Sequence, residues 1–325
     1  MNYFLFVSIG NDFHKNETLY SIESLRRTIK VEDEVKIILY TDNPNFFTPF
    51  FVNYERLIIE KIEKSIINKW KKELDCSQYV KLKVIELLQK KYIGKVLFIE
   101  SDVFFIKSII NEFEKINKYT FVAYNSLCTL EEITSYTNIS DSHKSEIFNQ
   151  VIELNGEYPN HSWIIYDFCI LGFDSSNISL IKNAKKLLVE LYSITQNDGV
   201  GNIIFSIIMQ KNQKNRIRTL FSNHITFHYQ SKEYIRLLIG YLMDLMIPED
   251  FEAFLNMKII NKLGNLSNYG ICSENLQAFG YFFEALNNLD FVNKNNYANN
   301  KKESEYFGSM FKQFYKAYLI NKENQ

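Results

Sequence analysis

The apolar run Val96-Leu97-Phe98-Ile99 ends in Glu100-Ser101-Asp102, and a second apolar run, Val103-Phe104-Phe105, follows at once. Two carboxylates one residue apart are thus delivered to the end of a strand. The carboxyl edge of an open α/β sheet is where such folds bind ligands. Alternate residues of an extended strand point the same way, so the spacing predicts that Glu100 and Asp102 face one cleft. Clustered carboxylates repel and are costly to desolvate unless a cation lies between them. Hard oxygen donors suit Mg²⁺ or Mn²⁺, which in turn bridge phosphate oxygens. Acid-x-acid also occurs at solvated strand ends that do nothing; the apolar runs on both sides favour a function here.

The elements that must position this pair can be read on either side of it. Tyr3 to Ile9 is a short apolar run stopped at Gly10-Asn11-Asp12, a buried strand entering a loop. Leu19, Ile22 and Leu25 predict a helix over 17–28, and Val35 to Tyr40 a second strand, closed by Thr41-Asp42-Asn43-Pro44. Leu57-Ile58-Ile59 is a third strand, residues 79–90 a helix, and Val96 to Ile99 a strand without alternation, as when both faces are covered. Strands alternating with helices predict an α/β fold with a mostly parallel sheet flanked by helices.

Further on, a polar helix is expected around 142–154. Trp163 to Tyr166 and Cys169 to Phe173 read as two strand pieces separated by Asp167. Helices at 178–194 and 201–209 and strands at 219–221 and 225–228 complete a first domain, 1–235. Residues 236–325 read as a helical C-terminal region with Asn-rich turns, in which Phe307, Phe311, Phe314 and Tyr318 share one helical face. Residues 291–325 hold six lysines against three acids, a basic end that offers a peripheral membrane contact, with packing on its own domain or on a second copy in a homo-oligomer as the blander role.

Composition removes several classes. With 46% hydrophobic residues over 325 positions the chain is no disordered protein. The 37 basic against 38 acidic residues argue against a nucleic-acid partner. Cys76, Cys128, Cys169 and Cys272 lie far apart, with no Cys-x-x-Cys, which fits a reducing compartment. The start lacks a basic n-region and no run of 18 apolar residues exists, so a cytoplasmic location is expected, with the inner face of a membrane as the peripheral option.

The block Lys81-Leu82-Lys83-Val84, Tyr92-Ile93-Gly94-Lys95-Val96-Leu97-Phe98-Ile99 and Glu100-Ser101-Asp102-Val103 resembles the acid-x-acid block of GT-A-fold glycosyltransferases, in particular the retaining, glycogenin- and galactosyltransferase-like family 8 group. The resemblance covers roughly residues 1–235, and its motifs fall in the expected order. It implies a nucleotide-sugar donor, UDP-linked above all, whose diphosphate is held by Mn²⁺ or Mg²⁺ on Glu100 and Asp102. It makes Ser8, Tyr40 and Asp42, at the ends of the first two strands, contacts for base and ribose, and brings Lys81 toward the nucleotide. Asp167, in Tyr166-Asp167-Phe168-Cys169, and Asp198, in Asn197-Asp198-Gly199, are implied to orient donor sugar and acceptor; Asp198 also suits a helix N-cap. His228 and Lys232 resemble the late His…Lys element, with His228 a metal ligand and Lys232 reaching the diphosphate. Glu100 stands where the usual residue is Asp.

The function so implied is metal-dependent sugar transfer to a glycan or lipid-linked acceptor, with bacterial surface polysaccharide synthesis as the natural setting. Two rivals remain at this point. A sugar-nucleotidyltransferase would carry a Gly-rich basic loop after its first strand, where Gly10 to Lys15 offers one glycine and one lysine. A catalytically weak GT-A-like protein would act through its C-terminal region as a binding module.

Overall fold

The computed structural model describes residues 1–105, 108–132, 163–196, 200–211, 214–220 and 226–228, together with positions 145 and 149. The expected C-terminal region 236–325 and nearly all of the helix expected at 142–154 lie outside the described residues.

The chain enters through β1 (Asn2–Ser8), α1 (Asp12–Arg26), β2 (Val35–Thr41), α2 (Pro44–Phe47) and β3 (Leu57–Lys61). It continues with α3 (Lys64–Glu73), α4 (Ser77–Lys91), β4 (Lys95–Ile99), β5 (Val103–Phe105), α5 (Glu112–Lys115) and β6 (Thr120–Thr129). After the undescribed stretch come β7 (Ile164–Asp174), α6 (Ile178–Thr195), α7 (Val200–Lys211), β8 (Arg216–Thr219) and β9 (Thr226–His228).

Seven strands form one sheet in the order β3-β2-β1-β4-β7-β6-β8, and β5 pairs with β9 in a separate ribbon. β3, β2, β1 and β4 are mutually parallel, and β6 is parallel to β8. Only β7 runs against its neighbours, β4 and β6. This is the mostly parallel, helix-flanked α/β sheet implied by the GT-A resemblance.

Strand parity decides which side chain meets which layer. Tyr3, Leu5, Ile38, Tyr40, Val96 and Phe98 share a core with Trp70 of α3, Val84 of α4, Ile181 of α6 and Ile203 of α7. The alternate residues face α1 and α5: Phe4 meets Phe113 edge-on, their ring centroids 5.0 Å apart. Both faces being covered, the strands carry no polar alternation. Gly172 marks a close approach within β7, where an added Cβ would come within 2.7 Å of Val122 Cβ.

The structure differs from the sequence expectations at identifiable places. α1 begins at Asp12, directly after β1, because Asn11 caps it: its side-chain oxygen accepts from the His14 backbone N–H at 3.0 Å. The two pieces around Asp167 are one strand, β7. Through this bulged stretch side chains of α7 supply acceptors for β7, Ser206 Oγ from Tyr166 N (2.9 Å) and Asn202 Oδ1 from Phe168 N (3.2 Å). α3 was not expected; its Lys-rich sequence hides the two residues that bury it, Ile67 and Trp70. Cys76, Cys128 and Cys169 are buried and form no disulfide among the described residues. Among the described residues no helix is long and apolar enough to cross a membrane.

Candidate nucleotide and cation site

β4 ends at Ile99, so Glu100, Ser101 and Asp102 form the turn into β5 rather than an extended strand end. The expected alternation therefore does not apply; Lys81 and the neighbouring elements hold the turn that carries the two acids. Glu100 N donates to Cys169 O of β7 at 2.8 Å, which fixes the start of the turn. Lys81, on α4, forms an ion pair with Glu100. Burial alone would pull the Lys81 ammonium down, but the charges of Glu100 and then Asp102 outweigh it and hold its pKa above the ordinary lysine value. Asp102 is 4% exposed. Lys83, two residues on, instead pairs with Glu73 (2.8 Å) and lies 5.0 Å from the centre of the Tyr79 ring. Of the two lysines only Lys81 belongs to the acidic turn.

α1 holds the turn from the other side. Ser101 Oγ donates to Glu17 Oε2 at 3.3 Å, and the same oxygen lies 3.1 Å from His14 Nδ1. Ser24 Oγ accepts from Phe105 N at 3.1 Å, tying β5 to the same helix. Sequence reasoning missed Glu17 as a support for the turn. Its signal was an acid on the first helix after β1, in register with Ser21 and Ser24, polar residues on what became a buried face.

At the same sheet edge, Ser8 closes β1 beside Thr41 of β2, and Asp42 follows directly. Ser8 is 1% exposed, and neither its Oγ nor Asp42 Oδ1, both buried, has a hydrogen-bond partner among the described residues. Tyr54 and Gln89 carry such buried atoms too; what sets Ser8 and Asp42 apart is their place at adjacent strand ends on the ligand-binding edge, where a polar ligand would satisfy both. Gly10 turns the chain away with φ of 103°, leaving open space where a Cβ would stand. Tyr40 is placed differently. By parity it lies on the other face from Ser8, in the core with α4. Burial first, then the negative charge of Glu60, pushes its hydroxyl pKa up to about 12. The structure does not bring Tyr40 together with Ser8.

Asp167 is 9% exposed and its carboxylate accepts from Cys169 N at 3.0 Å. Ile99 pairs with Ile170, so Asp167 lies beyond the end of β4, at the edge that carries Glu100. The β5–β9 pairing sets His228 opposite Val103, one residue from Asp102, so the backbone of the late element reaches the acidic turn. Asp198 and Lys232 lie outside the described residues. Among the described residues no three His, Cys, Asp or Glu side chains gather as a ready metal cluster. Yet the donor chemistry fits a hard cation: Glu100 already pairs with an ammonium, and the charge of Asp102 acts on the same group.

No protein-family model matches the chain, and no curated protein matches it in sequence. Similar chain courses occur among solved structures. The apo structure of the bifunctional glycosyltransferase WbbM shares 13% identity at a TM-score of 0.48, over 67% of this chain and 38% of its own. Mouse xyloside xylosyltransferase 1, also apo, gives 11% identity and a TM-score of 0.44, covering 68% of this chain and 85% of that one. The galactosyltransferase LgtC, in complex with donor and acceptor sugar analogs, gives 11% and 0.43, covering 63% and 70%. This chain thus spans well under half the length of WbbM.

Proposed function

We propose that this chain is a metal-dependent glycosyltransferase that moves a sugar from a nucleotide-sugar donor, UDP-linked above all, to a glycan or lipid-linked acceptor. The observation that carries the reading is the pair of buried atoms without a described partner, Ser8 Oγ and Asp42 Oδ1, at the sheet edge that also carries the acidic turn paired with Lys81. β2, β1 and β4 are neighbours, so Asp42, Ser8 and Glu100 span roughly 10 Å at one edge, two strand spacings. A nucleoside followed by a diphosphate matches that span and that order of chemistry.

Ser8 and Asp42 hold base and ribose through hydrogen bonds that no described residue supplies. Asp102 and Glu100, with His228, are the residues that would hold Mn²⁺ or Mg²⁺. A divalent cation there supplies Lewis-acid stabilisation of the departing diphosphate. Lys81 neutralises Glu100 and places a fixed positive charge near the same oxygens, and Lys232 adds a second. Asp167 orients the donor sugar, and Asp198 the acceptor. Polysaccharide synthesis at the inner face of a bacterial membrane is the setting this activity fits.

Calorimetric titration tests the reading. UDP is expected to bind with Mn²⁺ present and far more weakly without it. Ser8→Val should weaken UDP about tenfold, the worth of one hydrogen bond with its desolvation. If UDP, GDP and CMP all fail to bind with or without Mn²⁺, the proposal is wrong.

A further inference from the structure

At the amino edge of the sheet, one strand length from the acidic turn, lies a groove of about 540 Å³. It is enclosed by the lead-in to β6 (Lys118, Tyr119), the segment joining β7 to α6 (Ser176, Asn177, Ser179), one flank of α6 (Asn183, Lys186), the end of α7 (Lys211) and the approach to β8 (Asn215). Three exposed lysines from three separate elements therefore converge on one concavity, and among its described lining residues none is acidic. The chain as a whole is almost neutral, at a net charge of −1, so this is local charge segregation and no reflection of a basic protein.

The rim is held in shape. Asn177, 7% exposed, accepts from Asp174 N at 3.2 Å and donates to Lys118 O at 3.0 Å, joining the segments before β6 and after β7. Tyr119 O accepts from Arg216 N at 2.7 Å, and Asn215 Nδ2 donates to Met209 O at 2.8 Å. The Lys118 ammonium lies 5.6 Å from the centre of the Tyr119 ring. A concavity that carries three lysines and no acid among its described lining residues favours an anionic occupant. The hydroxyl and amide groups of Ser176, Ser179 and Asn183, above a floor of Leu180, Leu187 and Ile208, match a polyhydroxylated ligand with apolar ring faces.

We infer that this groove is a second binding site, for an acidic saccharide whose carboxylate or phosphate groups sit among Lys118, Lys186 and Lys211. It stands apart from the nucleotide reading, since it shares no residue with the acidic turn. Its test uses the full chain and three probes in calorimetry at low salt: tetragalacturonate, the neutral galactotetraose, and inorganic phosphate. Tetragalacturonate is expected to bind and galactotetraose to bind at least tenfold more weakly. Lys118→Gln/Lys186→Gln/Lys211→Gln, a change confined to exposed side chains, should weaken tetragalacturonate tenfold or more, while Asp102→Ala leaves it unchanged. Three results overturn the proposal: no tetragalacturonate binding, binding insensitive to the triple substitution, or inorganic phosphate binding as tightly as the saccharide. Phosphatidylserine vesicles form the last arm. If vesicle binding is lost in the triple variant while tetragalacturonate never binds, the face is a membrane contact and the saccharide site is refuted.

Discussion

Asp102→Ala should lower metal-stimulated turnover of a UDP-sugar by about 10²- to 10³-fold, the usual cost of removing one preorganised stabiliser of developing charge. Asp102 is buried in the turn after β4, and its charge is felt by the Lys81 ammonium. Its removal takes one of the two carboxylates from the surroundings of the proposed cation and leaves Glu100 paired with Lys81. The loss should appear mainly in turnover and in the response to Mn²⁺, while thermal unfolding shows the variant still folded. Donor hydrolysis or transfer assayed across a Mn²⁺ series reads both. Undiminished, metal-stimulated activity in Asp102→Ala would remove the acidic turn from the mechanism.

A comparably large effect, on stability, is expected from Glu23→Ala. Glu23 is fully buried on α1 and accepts from Arg26 Nη2 at 2.8 Å and Arg27 Nε at 3.2 Å. The Arg26 guanidinium also lies 5.4 Å from the centre of the Tyr54 ring. Truncating the acid strands two arginines in a mostly buried cluster, at a cost of about 3 kcal/mol, the low end for such pairs because both arginines keep some water. Burial raises the Glu23 pKa more than the arginines lower it, so the ion pair is not itself a net gain. Replacing all three, as Glu23→Leu/Arg26→Met/Arg27→Leu, should recover most of the loss. The sign with pH follows from the raised carboxyl: the group's contribution to stability is complete below about pH 4.3 and falls as pH rises through its folded value. Urea unfolding midpoints for the parent and both variants, from pH 4 to 8, check the sizes and the direction. Equal loss in the single and triple variants would contradict the stranded-charge account.

What could be read in the sequence follows from which forces leave a local trace. β1, β2 and β4 were legible because strands buried on both faces are written as unbroken apolar runs, and α6 because its apolar face repeats at helical spacing. The position of the acidic pair was legible for the same reason, since it directly follows such a run. Its geometry was not: Glu100 and Asp102 lie in a turn, held by Glu17, Lys81 and Cys169, groups on three other elements. The choice of Lys81 over Lys83 likewise depends on Glu73 claiming the second lysine, a tertiary fact. β7 looked broken at Asp167 because the acceptors Ser206 and Asn202, contributed to it by α7, lie about forty residues away in sequence. Tyr40 illustrates the reverse case. Its neighbour Thr41 shares the Ser8 face, and a one-residue difference in parity sends Tyr40 into the core instead.

The central claim is a divalent cation bound in the turn between β4 and β5 that meets a nucleotide lying across β1 and β2. Crystals grown with UDP and Mn²⁺, and measured at the manganese absorption edge, test it directly. The account predicts an anomalous peak bonded to Asp102 and to the diphosphate, with the uridine against Ser8 and Asp42. UDP bound elsewhere, or bound at this edge with no peak at Asp102, would contradict it.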